Sequence, residues 1–148
     1  MWDSKKSVFL STILTDFFGL FVIVSCFVFP SFLRWYLGYT ARAFKRASIV
    51  LYTYYPCVPF VLCALVILHI LLCNIKKGKI FVLTNVKLMR AISWCCFAVA
   101  AVTLIGGYFY LPFLLVAVIM TLVGLIIRVI KNIFCKAIEL KDENDMTI

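Results

Sequence analysis

Residues 91–127 read AISWCCFAVAAVTLIGGYFYLPFLLVAVIMTLVGLII, and none of these 37 side chains is charged. One membrane crossing needs about 20 apolar residues, so the stretch is too long for one transmembrane helix and suits two. The break falls at Gly106, Gly107 and Pro112, because paired glycines loosen a helix and proline can begin the next one. The sequence therefore predicts two transmembrane helices, at about 87–107 and 111–130, joined by a tight hairpin.

Two more apolar stretches precede this pair. The first, at about 8–33, carries Asp16 as its only charge and ends in an aromatic and basic border, which favours a retained span over a cleaved signal peptide. The second, at about 49–75, has no formal charge and ends in Lys-Lys-Gly, a typical helix ending. Pro56 and Pro59 predict a kink or a late helix start near the beginning of the second span.

The third helix is expected to begin before residue 91. Thr84 or Asn85 can cap a helix whose first turns hold Lys87 and Arg90. Beyond the fourth span, the tail 131–148 continues as an amphipathic helix. Its apolar side is expected to lie along the inner leaflet or to pack on the loop around residues 76–90; that side is formed by Ile130, Ile133, Phe134, Ala137 and Ile138.

The composition agrees with a single integral membrane domain over residues 1–148. Of the 148 residues, 66% are hydrophobic and 14% are charged, whereas about a quarter of the residues of a soluble domain are charged. The fold class expected is all-α, a four-transmembrane-helix bundle with a cytoplasmic amphipathic extension. The net charge of +9 lies between the apolar runs, where it suits anionic headgroups better than nucleic acid, so no direct nucleic-acid contact is expected.

The distribution of basic residues predicts the orientation. Eleven Lys and Arg residues lie at the end that holds both termini, and four lie at the opposite end. The positive-inside rule then places both termini in the cytoplasm of a multi-pass plasma-membrane protein. The exception is the outer connection with Arg34, Arg42, Lys45 and Arg46, which is basic on the side expected to be neutral.

Asp16 is the most informative single residue, because an ionisable group inside a span costs several kcal/mol and usually faces protein or water. In the predicted topology, we expect His69 and Arg128 to lie within reach of Asp16. One interpretation is a proton-responsive or cation-responsive site, with Asp16 as the acceptor and His69 as the titrating group. The other is a hydrogen bond that only joins the helices.

The third span carries small residues on one side, and seven cysteines are spread along the chain. Ala91, Cys95 and Ala98 share one helix face that permits close packing within one chain or formation of a homodimer. The seven cysteines lie in or beside apolar stretches and are expected to act as small buried hydrophobes. Adjacent Cys95 and Cys96 point about 100° apart on a helix, which spoils them as a metal or redox pair, so no metal site is predicted.

Two charged segments are candidates for contact with lipid or a protein partner. The basic loop mixes cations with apolar side chains, which suits phospholipid headgroups or a cytoplasmic protein, and the acidic tail could cover it. The contact residues expected are Lys76, Lys77, Lys79, Lys87, Arg90, Glu143, Asn144 and Asp145. Enzyme motifs are missing, with no HExxH, GxSxG or phosphate-binding glycine loop, so neither a catalytic residue nor a cofactor is expected.

Three stretches resemble a bacterial family of uncharacterised membrane proteins, domain of unknown function family 2975, common in Firmicutes. They are the end of the first span at Phe29 and Pro30, the second span from Val58 into the loop at Lys87, and the chain end 137–148. The chain end is the most specific, although Met146 stands where the family usually has leucine. Residues 82–84 (Val-Leu-Thr) depart from the polar connection expected there.

The resemblance implies four spans and no established activity. The resemblance also implies genes that lie beside those of small helix-turn-helix regulators, and hence a regulator held at the membrane by the tail and the basic loop. Three functions stay open: a regulatory or envelope-stress component, a small transporter or an immunity-type protein against a membrane-active toxin, and a structural subunit of a membrane complex.

Overall fold

Four long helices make up the chain in the computed structural model, which describes residues 4–37 and 41–146, with side chains for 6–35, 47–144 and 146. The helices are α1 (Ser4–Leu37), α2 (Ala41–Lys76), α3 (Leu83–Phe109) and α4 (Pro112–Met146). Each contains a stretch long and apolar enough to cross a bilayer: Lys6–Trp35, Ala47–Lys76, Leu83–Phe109 and Pro112–Asn144. The predicted all-α architecture with four membrane-spanning helices is confirmed.

Neighbouring helices in the chain pack antiparallel against each other. α1 contacts α2, α2 contacts α3 and α3 contacts α4, and among the described residues α1 touches neither α3 nor α4. The ring of Phe9 near the start of α1 lies 5.6 Å from the Lys76 ammonium at the end of α2. The four-helix bundle is therefore open between its first and last helices, and the beginning of α1, the end of α2 and the end of α4 share one end of the molecule.

The core lies around α3, between α2 and α4. The buried residues of α3 recur every three or four positions, as one helix face requires; they are Asn85, Val86, Met89, Ile92, Ser93, Cys96, Val99, Ala100, Thr103 and Gly106. The predicted small-residue face of Ala91, Cys95 and Ala98 is only partly buried. Cys95 lies beside Cys63 of α2, so this face contributes to packing within the chain.

The predicted hairpin is confirmed. α3 ends at Phe109 and α4 begins at Pro112, with the Tyr110 N–H donating to the Gly106 carbonyl at 3.0 Å. A side chain at Gly107 would lie only 3.1 Å from the backbone nitrogen of Leu114. Glycine is favoured here because the two helices approach closely at the turn.

Two helix starts differ from the sequence predictions. α2 begins at Ala41 and runs through both Pro56 and Pro59. Of the two predicted outcomes, the late start is therefore wrong and the kink stays a prediction; neighbouring helices can support proline inside a transmembrane helix. α3 begins at Leu83 after Val82, which makes no side-chain capping bond. Neither Thr84 nor Asn85 therefore caps this helix.

The C-terminal extension is a direct continuation of α4. A helix of 35 residues is about 52 Å long, well beyond the roughly 30 Å of bilayer hydrocarbon. The ring of Phe134 lies 5.9 Å from that of Phe81, and Ile138 is buried, which confirms packing on the loop. Ile130 and Ile133 are exposed, because the covered face of α4 turns toward α3 and the loop and excludes them.

Candidate functional site

A polar pair joins α1 to α2 inside the membrane-spanning region. The Nδ1 atom of His69 lies 2.7 Å from the Oδ1 atom of Asp16. A carboxylate accepts a hydrogen bond from Nδ1–H. This bond fixes the imidazole tautomer and leaves Nε2 as an acceptor. The structure thus brings together two of the three intramembrane residues that the sequence singles out.

Cys73 extends this pair on its other side. Its sulfur lies 3.5 Å from Nε2 of His69, so thiol, imidazole and carboxylate follow one another in a chain of contacts. Sequence inspection missed Cys73, although the spacing His69-x-x-x-Cys73 places both side chains on one face of a helix. That spacing is the signal that could have found it.

The pair opens onto a groove between α1 and α2. The groove has a volume of about 430 Å³, within the range of ligand pockets. Both side chains face it, with 59% of Asp16 and 41% of His69 exposed. Apart from the polar pair and Thr15, its walls are apolar or glycine: Gly19, Leu20, Ile23, Leu62, Leu65, Val66 and Ile70.

Arg128 lies apart from this pair. Its guanidinium carbon stands 5.4 Å from the ring centre of Trp94 and 5.5 Å from that of Phe97, both on α3. Because α4 does not reach α1 in the described part of the chain, the expectation that Arg128 could reach Asp16 is wrong. The guanidinium instead makes cation–π contacts at the end of the fourth apolar stretch.

A second polar contact between α1 and α2 also escaped sequence analysis. The hydroxyl groups of Ser25 and Tyr54 are hydrogen-bonded, and the Tyr54 ring lies 4.6 Å from that of Phe29. Serine and tyrosine are common in transmembrane helices, so neither residue stands out in the sequence. Hydrogen bonds therefore join α1 to α2 at two depths.

Asn85 fixes the basic loop that connects α2 to α3. It is 1% exposed, and its Nδ2 donates to the carbonyls of Lys79 at 2.7 Å and Ile80 at 2.9 Å. Its Oδ1 accepts a bond of 3.0 Å from Asn74. A buried amide that satisfies two loop carbonyls holds the loop in one conformation, a role that the sequence did not suggest.

The charged candidates lie at the end of the molecule that this loop forms. Gly78 closes α2 with φ of 75°, a left-handed conformation that favours glycine. The exposed candidates are Lys76, Lys77, Lys79, Lys87, Arg90, Glu143 and Asn144. The side chain of the remaining candidate, Asp145, lies outside the described residues.

The described residues contain no group of three His, Cys, Asp or Glu side chains arranged to hold a metal ion. Cys73, His69 and Asp16 follow one another in a line instead of converging on a point. The seven cysteine thiols are free, with Cys96 buried and Cys63 exposed. The arrangement suits proton transfer along the line more than metal binding.

The chain matches a known protein family. A family model described as "Protein of unknown function (DUF2975)" matches residues 31–148, from the last turns of α1 through α4. It therefore includes His69 and Cys73 but begins after Asp16, and it also leaves out Phe29 and Pro30. No curated protein and no solved structure matches the chain. The chain belongs to the DUF2975 family of proteins of unknown function.

Proposed function

We propose that this chain is a regulatory protein of the plasma membrane without enzymatic turnover, which docks a cytoplasmic protein on its basic loop and C-terminal helix. The observation that carries the proposal is the order of the loop. Asn85 bonds two of its carbonyls, and Phe81 packs on Phe134 of α4. A loop with a fixed conformation beside a projecting helix offers a preorganised binding surface.

The charge distribution supports a cytoplasmic position for this surface. The end that holds the loop and the C-terminal helix carries eleven of the 15 Lys and Arg residues. Basic residues favour the cytoplasmic side of multi-pass proteins. The first turns of α2, with Arg42, Lys45 and Arg46, and the hairpin then face the opposite side.

The chemistry of the tail favours a basic partner. Asp142, Glu143 and Asp145 lie within four positions, beyond the part of α4 that the bilayer can cover. A small helix-turn-helix regulator has a basic surface that binds DNA phosphates, and an acidic helix end can occupy that surface. In our proposal, an envelope change alters the contact between the loop and α4 and releases the regulator.

Deletion of residues 139–148 tests the proposal. The deletion keeps Ile138 and the Phe81–Phe134 contact, so the membrane part stays folded. We expect co-purification with a tagged small helix-turn-helix regulator from the same cell to be lost. A second variant replaces Asp142 and Glu143 by Asn and Gln. It removes charge but keeps the helix, and it should also abolish recovery. Unchanged recovery in both variants would reject the proposed docking.

A further inference from the structure

Cys73 contacts His69, and His69 contacts Asp16, which is the arrangement that activates a thiol. Asp16 accepts from Nδ1 of His69 at 2.7 Å, and Nε2 of His69 lies 3.5 Å from the Cys73 sulfur. A nucleophile contacts a base, and a third group orients the base; this is the geometry of activated serine and cysteine nucleophiles. The three residues come from two helices, so α1 and α2 must both be in place to form it.

The position of Cys73 sets what it can react with. Cys73 lies three residues before Lys76, about 4.5 Å along the helix axis, and His69 lies about 10 Å from Lys76. The thiol is therefore close to the membrane surface, and the apolar groove extends from the pair toward the bilayer centre. A molecule with a reactive carbonyl near the surface and a long apolar chain below it fits both features.

The groove walls favour a hydrocarbon chain. From Asp16 inward, α1 contributes Gly19, Leu20 and Ile23 and α2 contributes Leu65 and Leu62 to the lining. A side chain at Gly19 would meet no atom within 4 Å, so the groove is open at this residue. The exposed Lys76 and Lys77 follow Cys73 at the end of α2, where they can hold the phosphates of an amphiphilic donor.

We propose that Cys73 is an S-acylation site, at which the chain takes a fatty acyl group from an acyl-coenzyme A thioester. His69 acts as the general base, and Asp16 is a positioning residue that holds the imidazole. The acyl chain lies in the groove between α1 and α2. The reaction modifies the protein itself once and does not depend on a docked cytoplasmic partner.

The chemistry is a thioester exchange. Nε2 of His69 takes the thiol proton as the Cys73 sulfur bonds to the acyl carbonyl carbon. The carbon–sulfur bond of the donor then breaks, and its leaving thiolate takes the proton from the imidazolium. One thioester forms and one is consumed, so no oxidant, reductant or metal is needed.

The test incubates the full-length chain in phospholipid nanodiscs with alkyne-tagged palmitoyl-coenzyme A. Mass spectrometry should find a hydroxylamine-sensitive adduct on Cys73. Cys73→Ala should lose it, and His69→Gln should slow its formation by about 100-fold, the scale of general-base catalysis. Cys135→Ala is the matched control, because Cys135 lies near the same end but its thiol contacts Glu139 at 3.9 Å instead of a histidine.

The pH dependence separates a positioning role from a structural one. In the wild type, acylation should proceed at neutral pH, whereas in Asp16→Asn and His69→Gln it should need alkaline pH, since an unassisted thiol must ionise by itself. Asp16→Glu should restore part of the neutral-pH rate. If a variant unfolds, the proposal is tested in the wild type alone, by the ratio of Cys73 labelling to Cys135 labelling. Equal labelling of the two cysteines, or a His69→Gln rate equal to wild type, would overturn the proposal.

Discussion

The helix α3 and the helix α1 are held in different ways. In its most apolar part, 39% of α3 is buried, against 6% of α1. α3 packs through close approaches, where a side chain at Gly106 would lie 2.6 Å from Thr53 of α2 and one at Gly124 of α4 would lie 2.9 Å from Phe97. In the described part of the chain, α1 packs on α2 alone and is joined to it by the Asp16–His69 and Ser25–Tyr54 hydrogen bonds.

This difference separates a scaffold from an attached helix. The family match covers α2, α3 and α4 but starts at residue 31, so nearly all of α1 lies outside it. Close van der Waals packing stabilises helix association in lipid, where apolar burial gives little driving force. We infer that α2–α4 form a stable unit, because α3 contacts both α2 and α4, and that α1, which contacts α2, completes the polar site on the open side of this unit.

The largest effect is expected where the scaffold is tightest. Gly106→Leu places a side chain against the Oγ1 and Cγ2 atoms of Thr53, at 2.6 and 2.7 Å from the new Cβ. Overpacking of this kind costs about 3 kcal/mol. Denaturation in mixed detergent micelles should show the loss of stability, and Gly106→Leu combined with Thr53→Ala should recover part of it. Absence of any recovery would place the strain elsewhere.

Asn85→Ala should have the next largest effect. The change leaves the carbonyls of Lys79 and Ile80 without their side-chain donor and Asn74 without its acceptor, at a cost of about 2 kcal/mol. Limited proteolysis in nanodiscs should cut the loop faster. Thr84→Ala, one position earlier and exposed, is the control and should behave as wild type; equal cleavage of both variants would contradict the role given to Asn85.

A smaller effect is expected at the attached helix. Tyr54→Phe removes the hydrogen bond to Ser25 but keeps the ring on Phe29, and such bonds between transmembrane helices average about 0.6 kcal/mol. The same micelle denaturation should show this small decrease, while Tyr52→Phe, at an exposed ring, should show none. A loss as large as that of Gly106→Leu would mean that α1 belongs to the stable unit.

The smallest effect is expected at Gly19, the counterpart of Gly106 on the attached helix. A side chain there meets no atom within 4 Å, so Gly19→Leu should change the free energy of unfolding by less than about 0.5 kcal/mol. Micelle denaturation curves that overlay those of the wild type would agree with an open groove. Marked destabilisation would show that another helix covers this face.

The sequence predicted much of this arrangement for physical reasons. Length and hydropathy define four crossings, and the break at Gly106 and Pro112 uses residues whose backbone preferences are strong. Asp16 and His69 were paired because antiparallel neighbours place them at similar depths. Those features depend on local chemistry and on distance along a helix, which a sequence contains.

The remaining features depend on how the helices are arranged around one another. Arg128 was expected to be within reach of Asp16 because depth alone does not say that α4 lies on the far side of α3. The sequence does not separate the face of Ala91 and Cys95 from the buried face of Ser93 and Cys96, because both faces of α3 carry small residues. The burial of Asn85 depends on the path of the loop, which the sequence does not contain. The spacing of His69 and Cys73 places both on one face of α2, but the direction of the two side chains decides that they touch.

The most direct test determines on which side of the membrane the hairpin and the end of α4 lie. Tyr108→Cys in the exposed hairpin and Asn144→Cys near the end of α4, each in a cysteine-free chain, are labelled in sealed vesicles with a membrane-impermeant maleimide. We predict that one position is labelled from outside and the other only after permeabilisation. Labelling of both positions from the same side would contradict four antiparallel crossings with the basic loop and the C-terminal helix at one face.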